Sequence, residues 1–148
     1  RITDQSVKSL DRLVRYVVGA AGRGANFLLN IGPRPDGSMH PRHEARMREL
    51  GGWLRSHGEA IYGTRAGPIT PRPWGVTTAK GNRVYVHVLD WNDRELSLPA
   101  LPKGVRRASL LIGGQAVPVR SSADGITLSL PPRAAGEVDQ VVVLELAP

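Results

Sequence analysis

Three polar side chains with the chemistry to contact a ligand lie in one loop, at residues 30–38. Asp36 supplies the carboxylate of this loop, but the Pro-Asp-Gly sequence around it also favours a tight turn. Asn30 has an amide that can bind a ligand hydroxyl group or, alternatively, the backbone of adjacent loops. Arg34 can project toward a ligand or be a solvated surface residue. We take these three residues as candidate binding residues, each with a structural alternative.

The remaining polar candidates favour structural roles. A metal site is conceivable from the four histidines, His40, His43, His57 and His87. Pro41 separates the two that are close in sequence, and no acidic cluster completes a ligand set, so we predict no metal. Glu59 is expected to cap or pair near the end of a helix.

Three large aromatic side chains in the second half of the chain allow two interpretations. Trp74, Tyr85 and Trp91 could form a platform on which a sugar ring stacks. Packing in a core or between domains is the alternative that we favour, because large aromatics dominate burial in small β-domains. Two exposed tryptophans side by side would indicate the platform, and burial would count against it.

The element that must position the loop is the apolar run at residues 24–31, which ends at Gly32 and Pro33. Such a run is typical of a strand buried on both faces of a parallel sheet. Apolar spacing predicts one amphipathic helix over residues 4–18 and another over residues 41–57. The order helix, strand, loop, helix is one repeat of an α/β layer, in which active sites lie at the carboxyl ends of strands.

A single strand cannot form a sheet, and no second strand of this kind with a crossover helix follows. Its partners must therefore come from a longer enzyme of which this is the tail, or from another subunit.

The chain changes character near residue 66, where short alternating apolar runs replace the helical spacing. A proline-rich linker is predicted at residues 67–73. Further strands are predicted at residues 84–89, 95–98, 105–112, 115–120, 125–130 and 138–146. This spacing favours an antiparallel sandwich, with the run VVVLEL as a central strand. The predicted fold class is α/β followed by all-β.

Composition excludes several classes of protein. The net charge of +7 is not concentrated in one tract and aromatics are scarce, so we predict no nucleic-acid partner. The absence of cysteine excludes disulfides and thiolate metal sites within the chain. No apolar stretch approaches the length of about 20 residues needed to span a bilayer, so no membrane partner is predicted.

Two sequence motifs closely resemble the end of the catalytic barrel in the α-L-fucosidases of glycoside hydrolase family 29. They are GANFLLNIGPRPDGSMHP and RMRELGGWLRSHGEAIYGTR. His57 stands where the family usually has asparagine. The later run PRPWGVTTAKGNRVYVHVLDW resembles the start of the β-domain that follows the barrel in many bacterial members.

The resemblance implies that residues 1–66 are the last strand-helix unit of a (β/α) barrel. Residues 67–73 would then be a linker and residues 74–148 a C-terminal β-sandwich. It also implies a retaining enzyme that releases terminal α-L-fucose from glycans or glycoconjugates, needs no metal or cofactor, and is secreted or periplasmic. The catalytic carboxylates would lie upstream, so no catalytic residue is assigned in this chain.

Two other functions stay open at this stage. The β-domain could be a non-catalytic carbohydrate-binding module. Alternatively, the first 66 residues could complete a barrel supplied by another chain or another copy.

Overall fold

The computed structural model describes residues 7–148, in which two helices precede two antiparallel sheets. Helix α1 spans Leu10–Gly22 and helix α2 spans Pro41–His57, followed by a 3-10 turn at Gly58–Ala60. The eight strands are β1 Arg65–Ala66, β2 Gly75–Lys80, β3 Arg83–Val88, β4 Glu95–Leu98, β5 Val105–Leu110, β6 Val119–Ser122, β7 Gly125–Ser129 and β8 Gln140–Leu146.

The helix predicted at residues 41–57 is confirmed, with His40 as its N-cap and Pro41 in its first turn. The other helix begins later than predicted. Ser9 caps α1 by accepting a hydrogen bond from the Arg12 N–H at 3.3 Å. The predicted start at residues 4–6 lies outside the described residues.

The prediction of a buried strand at residues 24–31 is wrong for this chain. Residues 25–32 have no regular secondary structure, and no strand of the described chain pairs with them. Leu29 packs against the helices, whereas Leu28 is 84% exposed. The physical reason is that a β-strand needs neighbouring strands to pair with its backbone N–H and C=O groups. No such neighbouring strand is present among the described residues.

The strands divide into a five-stranded sheet of order β1-β2-β3-β8-β5 and a three-stranded sheet of order β4-β7-β6. Every pairing between these strands is antiparallel. Strand β8 lies between β3 and β5, which confirms the prediction that the VVVLEL run is central. Strand β6 lies a few residues beyond the predicted 115–120, and β1 and β2 were not predicted.

Both faces of the five-stranded sheet are covered. One face shares a buried apolar cluster with the three-stranded sheet, in which Val86 and Val142 meet Leu96 and Leu128. The opposite face carries Val76 and contacts the helices and the 3-10 turn. This double coverage explains why the five consecutive residues Val84 to Val88 of β3 are all buried.

Two glycines permit close approaches, one between α1 and the sheet and one between the neighbouring strands β2 and β3. A Cβ atom on Gly22 of α1 would lie 2.4 Å from the Val76 side chain, so only glycine allows this approach. Gly75 has a φ of +153°, and a Cβ there would lie 1.9 Å from the His87 carbonyl oxygen.

Among the described residues, no helix has the length and apolar character needed to cross a membrane.

Candidate functional site

The loop at residues 30–38 folds into a tight turn that is stabilised by its own backbone. The Arg34 N–H donates to the Ser38 carbonyl oxygen at 2.8 Å, and the Gly37 N–H donates to the Arg34 carbonyl oxygen at 2.9 Å. A bridge between Pro33 and Met39 closes the loop. The loop therefore holds its shape without a neighbouring strand.

Asp36 organises this turn. Its Oδ1 atom accepts hydrogen bonds from the Ser38 hydroxyl at 2.7 Å and from the Ser38 N–H at 2.9 Å. These two bonds lower the pKa of the Asp36 carboxyl below its ordinary value, and the charge of Arg34 adds to the effect. The turn role considered for Asp36 is thus observed, and contact with a ligand stays a prediction.

Asn30 and Arg34 are both exposed in this chain. Asn30 lines a cavity of about 70 Å³ between the extended segment and the helices, together with Leu29, His43 and Arg46. The structure does not place Arg34 among the residues that line this cavity. The three sequence candidates therefore share a loop but do not converge on one pocket.

Two further residues lie beside Asn30: Arg46, which the sequence analysis missed, and His43, which it considered only as a metal ligand. His43 Nδ1 and Arg46 Nε are buried and have no hydrogen-bond partner among the described residues. They are three positions apart on α2, and this i, i+3 spacing on the side toward Leu50 is the signal that could have found them. Unpaired buried nitrogens are costly, so they are groups available to an additional partner.

The aromatic platform is not supported. Trp74 is only 6% exposed and Tyr85 only 1%, while Trp91 is partly buried against the same core as Trp74. The alternative of core packing is therefore confirmed for Trp74 and Tyr85. Burial of these rings counts against a carbohydrate-binding module built on them.

Glu59 has the structural role expected of it. Its Oε1 atom accepts hydrogen bonds from Arg83 Nη1 at 2.7 Å and from the Tyr85 hydroxyl at 2.9 Å. Burial, followed by the bond to Glu59, raises the pKa of the Tyr85 phenol. The contacts tie the 3-10 turn after α2 to strand β3.

The histidines do not converge. Within residues 7–148, no group of three histidine or acidic side chains is arranged to hold a metal ion. The rings of His40 and His43 are 5.8 Å apart, and His57 stacks on Trp53. His87 lies far from the loop in sequence and bonds to Asp139 inside the fold.

Comparison with known proteins identifies the family to which these features belong. The family model described as alpha-L-fucosidase matches residues 1–59. An alpha-L-fucosidase from Branchiostoma floridae is 36% identical over 129 residues, and the human plasma alpha-L-fucosidase is 33% identical over 132 residues. This chain belongs to the α-L-fucosidase family.

Solved structures of fucosidases extend the similarity to nearly the whole chain. Alpha-L-fucosidase isoenzyme 1 from Paenibacillus thiaminolyticus superposes with a TM-score of 0.86 at 28% identity, over 97% of this chain and 36% of that one. A family 29 fucosidase from Bacteroides thetaiotaomicron, trapped as a covalent intermediate, gives a TM-score of 0.85 at 26% identity. The match covers 96% of this chain and 33% of that one.

The fucosidase relatives are much longer than this chain. The chain spans 28% of the Branchiostoma relative, while 82% of the chain itself is matched. The human relative gives nearly the same shares, 28% of its length and 83% of the chain.

Proposed function

We propose that this chain is the C-terminal portion of a retaining α-L-fucosidase that hydrolyses terminal α-L-fucose from glycans. Within that enzyme it closes the barrel, contributes one loop on the active face and supplies a β-domain that packs against the barrel. The observation that carries the proposal is the extended segment at residues 25–32. Leu29 in this segment is partly buried against the helices, Leu28 is 84% exposed, and no strand lies beside the segment in the described chain.

The covered side of this segment supports an assignment to a barrel strand. Leu29 packs with the apolar stripes of α1 and α2, as a barrel strand packs against the outer helices. The neighbouring Leu28 is 84% exposed, and Phe27 is 38% exposed. In a complete barrel the flanking strands would pair with this segment, and the inward side chains would fill the barrel interior.

The proposed domain boundaries follow the same division. Residues 1–66 form the end of the barrel, residues 67–73 the linker, and residues 74–148 the β-sandwich. The two sheets support the last assignment, because they pack on one apolar cluster that includes Val88 and Leu128. The strand β1 at Arg65–Ala66 pairs with β2, so the last residues of the barrel segment also contact the β-domain.

Retaining glycosidases need two carboxyl groups about 5–5.5 Å apart, one as nucleophile and one as acid and base. The Bacteroides relative was trapped as a covalent intermediate with 2-fluoro-fucosyl fluoride, which supports the retaining route in this proposal. The proposed nucleophile and acid/base lie on upstream barrel segments, outside this sequence. No residue of this chain is assigned a catalytic role, and no metal or cofactor is required.

The loop supplies the residues proposed to contact the substrate. Asp36 is a carboxylate with a lowered pKa, so it stays ionised and can accept hydrogen bonds from sugar hydroxyl groups through Oδ2. Asn30 and Arg34 are exposed on either side of Pro33 and offer an amide and a cation. The proposed partner of these groups is the fucosyl unit or the glycan to which it is attached.

A complementation assay tests this proposal. The chain is mixed with the upstream part of the Paenibacillus enzyme, and release of 4-nitrophenol from 4-nitrophenyl α-L-fucoside is measured. We expect no turnover by the chain alone and turnover by the mixture. Intact mass of the purified chain excludes longer contaminants.

Matched aspartate substitutions sharpen the assay. Leu28→Asp places a charge on the bare side of the segment and is expected to abolish turnover by the mixture. Ile112→Asp places the same charge on a side chain that is also exposed, at 45%, but lies in the β-domain, and turnover should persist. Turnover by the chain alone that disappears in Asp36→Asn would contradict the proposal, because this chain would then build its own site.

A further inference from the structure

A chain of polar groups crosses the otherwise apolar seam between the five-stranded sheet and the 3-10 turn after α2. His87 Nδ1 lies 2.7 Å from Asp139 Oδ2, and His87 Nε2 lies 3.0 Å from Thr78 Oγ1. The Thr78 hydroxyl donates to the Ala60 carbonyl oxygen at 2.7 Å. Thr78, His87 and Asp139 are each at most 1% exposed. Their apolar neighbours in this seam include Val141.

The order hydroxyl, imidazole, carboxylate is that of a nucleophilic triad, but this network cannot act as one. The hydroxyl proton of Thr78 is given to Ala60 O and not to the imidazole. The side chains of His87 and Asp139 have no exposed surface, so no substrate reaches them. The network therefore holds structure together.

The hydrogen-bond geometry fixes where the protons lie. A hydroxyl group has one proton, and a carbonyl oxygen can only accept, so the Thr78 proton lies toward Ala60 O. Nε2 of His87 must then donate to Thr78 Oγ1. A second proton lies between Nδ1 and Asp139 Oδ2, at a distance typical of a charge-assisted bond. Together, His87 and Asp139 hold one proton more than a neutral imidazole and a carboxylate would.

Arg133 and Glu137, the charged side chains just before Asp139 in the sequence, already have hydrogen-bond partners. Arg133 donates from Nη1 to the carbonyl oxygens of Glu137 and Val138, both at 3.2 Å, and from Nη2 to Val88 O. Glu137 accepts a bond from the Ala134 N–H.

Other charged groups on this face are Lys80, at the exposed end of β2, and Arg83, whose Nη2 lies 3.5 Å from Glu145 Oε1. Glu59, next to Ala60, is bonded to Arg83 and Tyr85. From α1, the close contact is Gly22 against Val76, and both residues are uncharged.

We propose that Thr78, His87 and Asp139 form a proton-dependent tether between the sheet and the turn that follows α2. While the pair keeps its extra proton, Thr78 holds Ala60 O. When the proton leaves at higher pH, Nε2 becomes an acceptor, Thr78 turns its hydroxyl toward it, and Ala60 O loses its donor. The turn at Ala60 is then attached more weakly. This inference concerns the seam and does not depend on fucosidase activity.

Nuclear magnetic resonance on the isotopically labelled chain tests the tether. The ring nitrogens of His87 and the carbonyl carbon of Ala60 are followed from pH 5 to pH 9. We expect both ring nitrogens to be protonated at low pH, Nε2 to lose its proton as pH rises, and the Ala60 signal to shift with the same midpoint. The rings of His40 and His43 provide internal references.

Two variants separate the switch from a general loss of structure. Thr78→Ser keeps the hydroxyl group and should keep the Ala60 response. Thr78→Val removes it, so the Ala60 response should disappear while His87 still titrates. Three wild-type results would overturn the tether: a neutral ring throughout, a ring that keeps both protons throughout, or an Ala60 signal that does not follow His87. These three results are measured on the wild-type chain, so they test the tether even if a variant does not fold.

Discussion

Residues 25–31 and strand β8 are both dominated by apolar side chains, yet they have opposite environments in this chain. Val142 and Leu144 of β8 are fully buried between two neighbouring strands and the second sheet. Leu28 is 84% exposed, and its segment has no strand partner among the described residues. An apolar run thus marks a surface that needs a partner. The partners of β8 lie within the described residues, whereas we propose that those of residues 25–31 lie on upstream barrel segments.

The largest effect is expected beside β8, at the seam between the five-stranded sheet and the 3-10 turn after α2. Asp139→Ala removes the carboxylate that lies 2.7 Å from His87 Nδ1, and breaking such a buried pair costs about 3–5 kcal/mol of unfolding free energy. The network is fully buried, so solvent screening does not reduce this value. Urea unfolding measures the loss.

Asp124→Ala is the matched control for this change. Asp124 is exposed in a turn, and its substitution should change the unfolding free energy by about 0.5 kcal/mol or less. Equal effects of the two substitutions would show that the buried network contributes nothing to the contact between the five-stranded sheet and the 3-10 turn.

A pair of leucine truncations compares the two apolar surfaces directly. Leu128→Ala removes a side chain with no exposed surface from the core between the sheets and should cost about 2–5 kcal/mol. Leu28→Ala should cost about 0.5 kcal/mol or less, because its side chain has little to lose in this chain. The same urea titration measures both. A large cost for Leu28→Ala would mean that this chain already covers the segment.

A smaller effect is expected from the exposed ion pair that joins α1 to the residues after β3. Arg15 Nη1 on α1 lies 2.8 Å from Asp90 Oδ2, just after β3, and the Asp90 side chain is 62% exposed. Solvent screens such a pair, and Arg15 also contacts Asp11, so Asp90→Ala should cost only about 0.2–1 kcal/mol. High salt should reduce the difference further. A cost above that of the Asp139 substitution would reverse the proposed ranking of the contacts.

The smallest change concerns the loop itself. Ser38→Ala removes the hydroxyl that contributes most to the lowered pKa of Asp36, so this pKa should rise toward its ordinary value, as measured by carbon-13 titration. Because the pKa of Asp36 is lower in the folded state, any stabilisation that it provides is present when the pH is above the pKa of the unfolded state. This stabilisation is lost as the pH falls through the pKa of the folded state. An unchanged titration would show that Asp36 does not organise the turn.

Local sequence patterns predicted the elements whose start and end signals lie within a few residues along the chain. Helix α2 has a proline at its start and a glycine after its end, and β3 follows a Gly-Asn turn, so both were found from sequence. Strand β2 was missed because its centre holds two threonines, and their burial depends on distant partners. Thr77 Oγ1 bonds to Ile69, and Thr78 bonds to Ala60 and His87.

The candidate site was predicted less completely than the fold. The Pro-Asp-Gly sequence indicated the turn at Asp36, because that chemistry is local. The spacing of His43 and Arg46 on α2 could have placed them on one side of the helix, but their burial without a hydrogen-bond partner depends on how α2 packs against residues 29–31. The same limit explains the wrong strand prediction, because sequence shows an apolar run but not which chain covers it.

Hydrogen exchange at residues 25–31 tests the central claim most directly. Amide exchange is measured in the chain alone and in the mixture with the upstream part of the Paenibacillus enzyme, with β8 as the internal standard. We predict fast exchange at residues 25–31 and slow exchange in β8 for the chain alone, and protection at residues 25–31 when the mixture becomes active. Slow exchange in the isolated chain, or fast exchange in an active mixture, would contradict the claim that this segment is a barrel strand without its neighbours.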